Sequence, residues 1–126
     1  MTKPIKRSVA VVIQKDGRVL AVRRSESDDE LPGIWGLPAG SFRESETVEA
    51  LIRRIGKTKL GVSLSPVREM ASARQDRAAY QLDMQLWEVE MVGVPSHPEW
   101  QWAERDLFKE GQARGSLCCD LLIDER

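Results

Sequence analysis

The side chains of this 126-residue chain that could do chemistry are concentrated between positions 23 and 59. Arg23 and Arg24 put two fixed positive charges at the end of an apolar run, Val19 to Val22. Glu44, Glu46 and Glu49 lead into a segment of helical period, and Lys57 and Lys59 stand near its end. Carboxylates are the side-chain ligands that suit a hard cation, whereas two arginines at a strand end read, on composition alone, as a solvated terminus. Within the helical segment, positions 55, 58 and 59 fall on one face at i, i+3 and i+4. They carry Ile55, Thr58 and Lys59: a hydrocarbon, a hydroxyl and an ammonium, none of which binds Mg²⁺ as a carboxylate does. Glu46 and Glu49 lie about half a turn and a third of a turn away from that face, so they are poor substitutes. Glu44, in the loop before the helix, has no specific spacing.

The elements that must position these residues can be read in order. Ser8 to Ile13 is a β-branched apolar run without alternation, the pattern of a strand covered on both faces. Lys15-Asp16-Gly17 supplies a hairpin turn, since Asp-Gly tolerates positive φ, and Val19 to Val22 is the partner strand. An acidic loop, Ser25 to Glu30, precedes Leu31 to Gly40, where two prolines and three glycines stiffen a tight bend and let backbone approach a ligand. Thr47 is the expected N-cap of a helix running to Leu60. Val48, Leu51, Ile52 and Ile55 form its apolar stripe, Glu49 and Arg53 an i,i+4 pair, and Gly61 its stop. Gly56 is discordant inside that helix and weakens it by about 1 kcal/mol relative to alanine. The chain reads as strand again after Pro66, with a turn at Asp76 to Ala79. Gln81 to Val92 is the longest strand signal, and its apolar phase switches between Leu86 and Trp87, which a bulge or two-face burial would explain. A loop then leads to a short strand ending near Trp102, and helices are expected over Ala103 to Gly111 and Ser116 to Asp124.

The stretch Gly40 to Val62 resembles a Nudix box. Gly40, Glu46, Arg54, Gly61 and Val62 fall on the family's pattern, and the Leu31 to Gly40 lead-in is similar to the segment that precedes the box in the family. Ile55, Thr58 and Lys59 stand where the family carries metal-binding glutamates. The resemblance implies an α+β fold in which a mixed β-sheet is sandwiched between helices, with residues 1–126 forming one Nudix-like domain. It also implies the family reaction, water attacking a pyrophosphate linked to a nucleoside or similar group with the help of Mg²⁺ or Mn²⁺. Glu46 and Arg54 would support the box, Glu99 or Glu104 would be a later acidic residue, and Arg23 would face substrate phosphates. Gly40 and Lys59 join Arg23 as substrate-side candidates. Trp35 is read as either a base platform or core. Glu44 and Glu46 are the weak metal candidates that remain.

Hydrophobic residues at 41% and charged residues at 31% are ordinary for a globular protein, and a formal net charge of −1 gives no bulk field to recruit nucleic acid or an anionic membrane. The apolar run Val9 to Ile13 is too short to span a bilayer and lacks a signal-peptide cleavage region, so a cytoplasmic protein is expected. Cys118 and Cys119 are adjacent, without metal-ligand spacing, and read as small apolar residues on a helix. His97, flanked by prolines, reads as an exposed bystander. Three functions follow. The favoured one is a Nudix-fold protein that binds a nucleotide or other pyrophosphate-containing small molecule with weak or no hydrolysis, needing no cofactor. The second is an active Mg²⁺- or Mn²⁺-dependent hydrolase using other acidic residues. The third is a protein-interaction module, and a homodimer is compatible with all of them.

Overall fold

The computed structural model describes residues 3–28, 30–96 and 99–124. Strand β1 (Ile5–Lys15) turns through Asp16 and Gly17, both at positive φ (53° and 78°), into β2 (Arg18–Arg23). The hairpin expected from Asp-Gly is therefore present. It pairs only at Gln14↔Val19 and Lys15↔Arg18. Further along, β4 (Ala39–Ser41) takes the edge of β1 that β2 has left, with Ala10 opposite Ala39 and Ser8 opposite Ser41. Strand β2 meanwhile pairs with β3 (Trp35–Gly36) on one side and β7 (Trp100–Ala103) on the other. This parting of β2 from β1 brings the ends of β2 and β4 side by side.

The other edge of β1 pairs in parallel with β6 (Gln81–Val92), from Ile5↔Gln81 to Ile13↔Val89, and β6 pairs antiparallel with β5 (Ser63–Asp76). The sheet is thus mixed. Its register resolves the phase switch in β6. That strand runs unbroken against β1, and the irregularities lie in β5, between Pro66 and Arg68 and between Glu69 and Ala71. Leu82, Met84 and Leu86 bury one face in the first half of β6, whereas Trp87, Val89 and Met91 bury the other in the second half. Burial on both faces accounts for the pattern.

Helix α1 (Val48–Ile55) covers one face, packing Leu51, Ile52 and Ile55 on Val9, Val11, Ile13 and Leu20. The opposite face is covered by a 3₁₀ turn (Arg105–Phe108), α2 (Lys109–Ala113) and α3 (Leu117–Asp124). Phe108, Leu117 and Leu122 pack there on Ala10, Val12 and Ala21. The helices expected at the C-terminus start later than the sequence suggests, because Ala103 pairs with Val19 and belongs to β7. Cys118 and Cys119 are free thiols buried in α3. Among the described residues, no helix is long and apolar enough to cross a membrane.

Candidate functional site

Helix α1 begins as its sequence indicates. The Thr47 hydroxyl accepts the Ala50 N–H at 3.1 Å, and Glu49 pairs with Arg53 at 2.6 Å. It does not end as expected. The regular α-helix stops at Ile55, and Gly56–Leu60 forms a π-helical turn closed by Gly61 at φ 70°. At Gly56 a Cβ would stand 2.6 Å from Leu64 Cγ and 2.9 Å from the Val62 carbonyl oxygen. The glycine thus permits β5 to lie against the helix end, and the weakening read from propensity comes with a packing requirement. Because i→i+5 turns are wider than α turns, the α-helical spacing assumed for positions 55, 58 and 59 does not hold across this segment.

The three side chains accordingly go to three environments. Ile55 is 1% exposed and sits in the core beneath Gly40, where a Cβ on Gly40 would come within 3.0 Å of Ile55 Cγ1. Gly40 therefore serves the close approach of helix and strand. Thr58 is exposed and donates its hydroxyl hydrogen to the Arg54 carbonyl at 2.7 Å, bonding back along its own helix. Lys59 is exposed and lines a cleft.

Glu46 is occupied elsewhere. Its carboxylate accepts from Arg54 Nε and Nη2 at 2.9 and 2.8 Å and from the Arg43 N–H at 3.0 Å, and Arg54 Nη2 also donates to the Ser41 carbonyl at 2.7 Å. The Arg54 hydrogen bonds, then that of the Arg43 N–H, lower the Glu46 carboxyl from 4.5 to about 2. Glu44 is exposed in the same loop, next to Ser45 at φ 61°. Among the described residues, no three His, Cys, Asp or Glu side chains gather where they could share a metal ion.

The cleft opens where β2 parts from β1. It has two lobes, each of about 260 Å³, with Arg24, Ala39 and Lys59 lining both. Together they reach the size of a small-molecule site. One lobe adds Arg23, Ser25 and Asp28, and the other adds Lys6, Ser8, Glu30, Arg77 and Tyr80, with Leu82 and Met84. Basic side chains outnumber acidic ones in both. Arg24 Nη1 donates to Asp28 at 3.1 Å, and Asp28 Oδ1 accepts the N–H groups of Glu30 and Leu31 at 3.0 and 2.9 Å. The Leu31 N–H bond is the largest influence holding the Asp28 carboxyl below its ordinary range.

The sequence candidates are only partly gathered there. Gly40 and Lys59 line the cleft, and Arg23 lines one lobe, but its guanidinium is engaged with Glu26, with Glu99 at 3.2 Å and with the Gly33 carbonyl at 3.1 Å. Glu99 is thus Arg23's partner at the rim. Trp35 packs against the core under α3, and its carbonyl accepts from the Cys119 thiol at 3.6 Å, so its ring is a packing element away from the cleft. His97 lies outside the described residues. The sequence reading missed Lys6, Arg77 and Tyr80, and of the two arginines after Val22 it favoured Arg23 over Arg24, which lines both lobes. Lys6 and Ser8 share one face of β1 by strand alternation, but no spacing links them to a turn more than sixty residues later.

Residues 4–113 match the NUDIX domain. No curated protein matches the chain by sequence. Among solved structures, the E. coli ORF135 protein is 17% identical with a TM-score of 0.79 over 96% of this chain and 90% of its own. A NUDIX hydrolase from Nitrosomonas europaea is 20% identical with a TM-score of 0.79, covering 97% and 88%. A MutT NUDIX hydrolase from Burkholderia pseudomallei is 24% identical at 0.73, covering 82% and 86%. At these identities the similarity speaks to the fold. A mixed sheet between helical layers is the α+β fold that these structures share with the chain. The chain belongs to the Nudix family.

Proposed function

We propose that this Nudix protein binds a nucleotide-like ligand through its phosphates, using fixed cations in place of metal, and hydrolyses it weakly or not at all. The observation that carries this reading is the fate of the box positions. The residue at 55 is sealed in the core, that at 58 is bonded to its own helix, and that at 59 contributes an ammonium to a cleft shared with Arg24. Divalent cations that assist pyrophosphate chemistry need several oxygen donors, usually carboxylates. A hydrocarbon, a self-bonded hydroxyl and an ammonium do not fit that need, and Glu46 has both oxygens committed to Arg54. An ammonium beside a guanidinium suits phosphate oxygens instead.

The test measures binding and turnover together on nucleoside triphosphates, dinucleotides and nucleoside-diphosphate sugars, with Mg²⁺ or Mn²⁺ and then with EDTA. Binding that persists in EDTA and weakens about three- to tenfold in Lys59→Ala is expected, as for loss of one solvent-exposed hydrogen bond. Turnover of about 1 to 10³ per second with Mg²⁺ would overturn the reading.

A further inference from the structure

Besides Arg24 and Lys59, the lobe lined by Lys6 and Arg77 contains a second set of groups suited to an anion. Arg77 and Tyr80 belong to the turn joining β5 to β6, which is fixed by the Arg77 N–H donating to the Tyr80 carbonyl at 2.8 Å and by Lys3 Nζ donating to the Arg77 carbonyl at 2.7 Å. Arg77 Nε donates to Gln75 Oε1 at 2.7 Å, which orients the guanidinium. Lys6 Nζ lies 5.2 Å from the centre of the Tyr80 ring. Two residues along the same face of β1, Ser8 also lines this lobe; it is only 4% exposed, and its hydroxyl oxygen is buried without a hydrogen-bond partner. A buried hydroxyl left unpaired is costly.

A carboxylate already sits across this set, and it is the protein's own. Glu30 accepts from Arg77 Nη1 at 2.9 Å through one oxygen and from the Tyr80 hydroxyl at 2.7 Å through the other. Glu30 comes from the polar loop after β2, and its side chain is 45% exposed. Arg77 is the more enclosed partner, at 19% exposed, so solvent screens the pair mainly from the carboxylate side, where an external anion can exchange with it. The loop is anchored through Asp28, which in turn is held by Arg24, the guanidinium that also faces the other lobe.

We infer that Arg77 and Tyr80, with Lys6 and Ser8, form a second anion-binding position that Glu30 occupies when no ligand is bound. It rests on the reading given under Proposed function and adds a ligand class to it. The ligand carries a further anionic group beyond the one held by Lys59 and Arg24, separated from it by the span of the lobe. Such a ligand displaces the Glu30 carboxylate, and one with a single compact anion leaves it in place.

The test uses linear inorganic polyphosphates as probes in EDTA, with calorimetric titration of the wild-type protein, Glu30→Gln, Arg77→Gln and the double variant. Tetrapolyphosphate is the longer probe, with further anionic groups beyond its first two, and pyrophosphate is the short control. Glu30→Gln is expected to tighten tetrapolyphosphate about three- to tenfold by removing the internal competitor, and to change pyrophosphate by less than about twofold. In the Arg77→Gln background that gain should vanish, because the competition is for Arg77. An equal gain in both backgrounds would reduce Glu30 to a general field effect, and a weakened Glu30→Gln would make it a support of the cleft. Either overturns the second position. If Arg77→Gln does not fold, the comparison of the two probes on Glu30→Gln decides alone, and equal gains for both probes reject the proposal. Wild-type binding of both probes that depends on Lys59 would leave the reading under Proposed function standing even then. Wild-type protein that binds neither probe would remove both.

Discussion

The clamp before helix α1 and the turn after it use residues of one sequence motif in opposite ways. In the clamp, Glu46 and Arg54 satisfy each other and tie down the Ser41 carbonyl, so loop, helix and β4 are joined by direct hydrogen bonds. In the turn, Ile55, Thr58 and Lys59 share no partner and go respectively to the core, to the helix backbone and to the cleft. The difference teaches that the loop–helix geometry is carried by the clamp and by glycine-mediated packing. The exposed positions of the last turn, Thr58 and Lys59, can therefore change their chemistry without unmaking the fold, whereas Ile55 cannot.

The largest effect expected from breaking this division is at Ile55. Truncation to alanine removes a side chain wedged between Gly40 and the sheet and should cost about 2–5 kcal/mol in denaturant unfolding. Thr58→Ala should stay within about 0.5 kcal/mol, as an exposed substitution does. Equal costs at the two positions would contradict the separation of core from surface. Placing a carboxylate there with Ile55→Glu should destabilise the protein more than alanine does at neutral pH, since it forces a charge into the core, and acid should relieve part of the difference.

Gly56→Ala comes next. Alanine favours helix over glycine by about 1 kcal/mol, but its Cβ would meet Leu64 and the Val62 carbonyl. Overpacking of about 1–3 kcal/mol should prevail, giving a net loss of melting temperature. A stabilised Gly56→Ala would show that β5 can withdraw from the helix end at little cost.

The smallest effect concerns the clamp in acid. Because the Glu46 carboxyl is lowered from 4.5 to about 2, its contribution is fully present above pH 4.5 and is lost as the pH falls through about 2. Glu46→Gln should therefore flatten the fall of stability in that window while leaving the neutral and alkaline limbs parallel to wild type. An acid limb unchanged by the substitution would mean that the clamp does not titrate there.

What the sequence disclosed followed range of interaction. The Asp16-Gly17 hairpin, the Thr47 cap, the Leu51-Ile52-Ile55 stripe and the Gly61 stop depend on neighbours a few residues away, and all were legible. The family resemblance carried the fold. Gly56 was visible as an anomaly, but its reason lies in Leu64, across a turn. The cleft was legible only in Lys59 and in the basic end of β2. Its other wall depends on the parallel pairing of β1 with β6, which brings Lys6 to Leu82 and hence to Arg77 and Tyr80. Trp35 could have served the core or a ligand by composition, and only the placement of α3 decided it.

The irregularities of β5 have a consequence for association. A fourteen-residue strand at the border of a sheet offers unpaired backbone groups on which another chain could build a continuous ladder. Here Pro66 lacks an N–H, register shifts follow it on both sides of Arg68 and Glu69, and Arg74 and Asp76 put charge on the far end. A second strand laid along the first half of this border would lose its hydrogen-bond rhythm within a few residues, despite the half-exposed Val67 there. That half of the border thus resists the edge-to-edge growth from which aggregates begin.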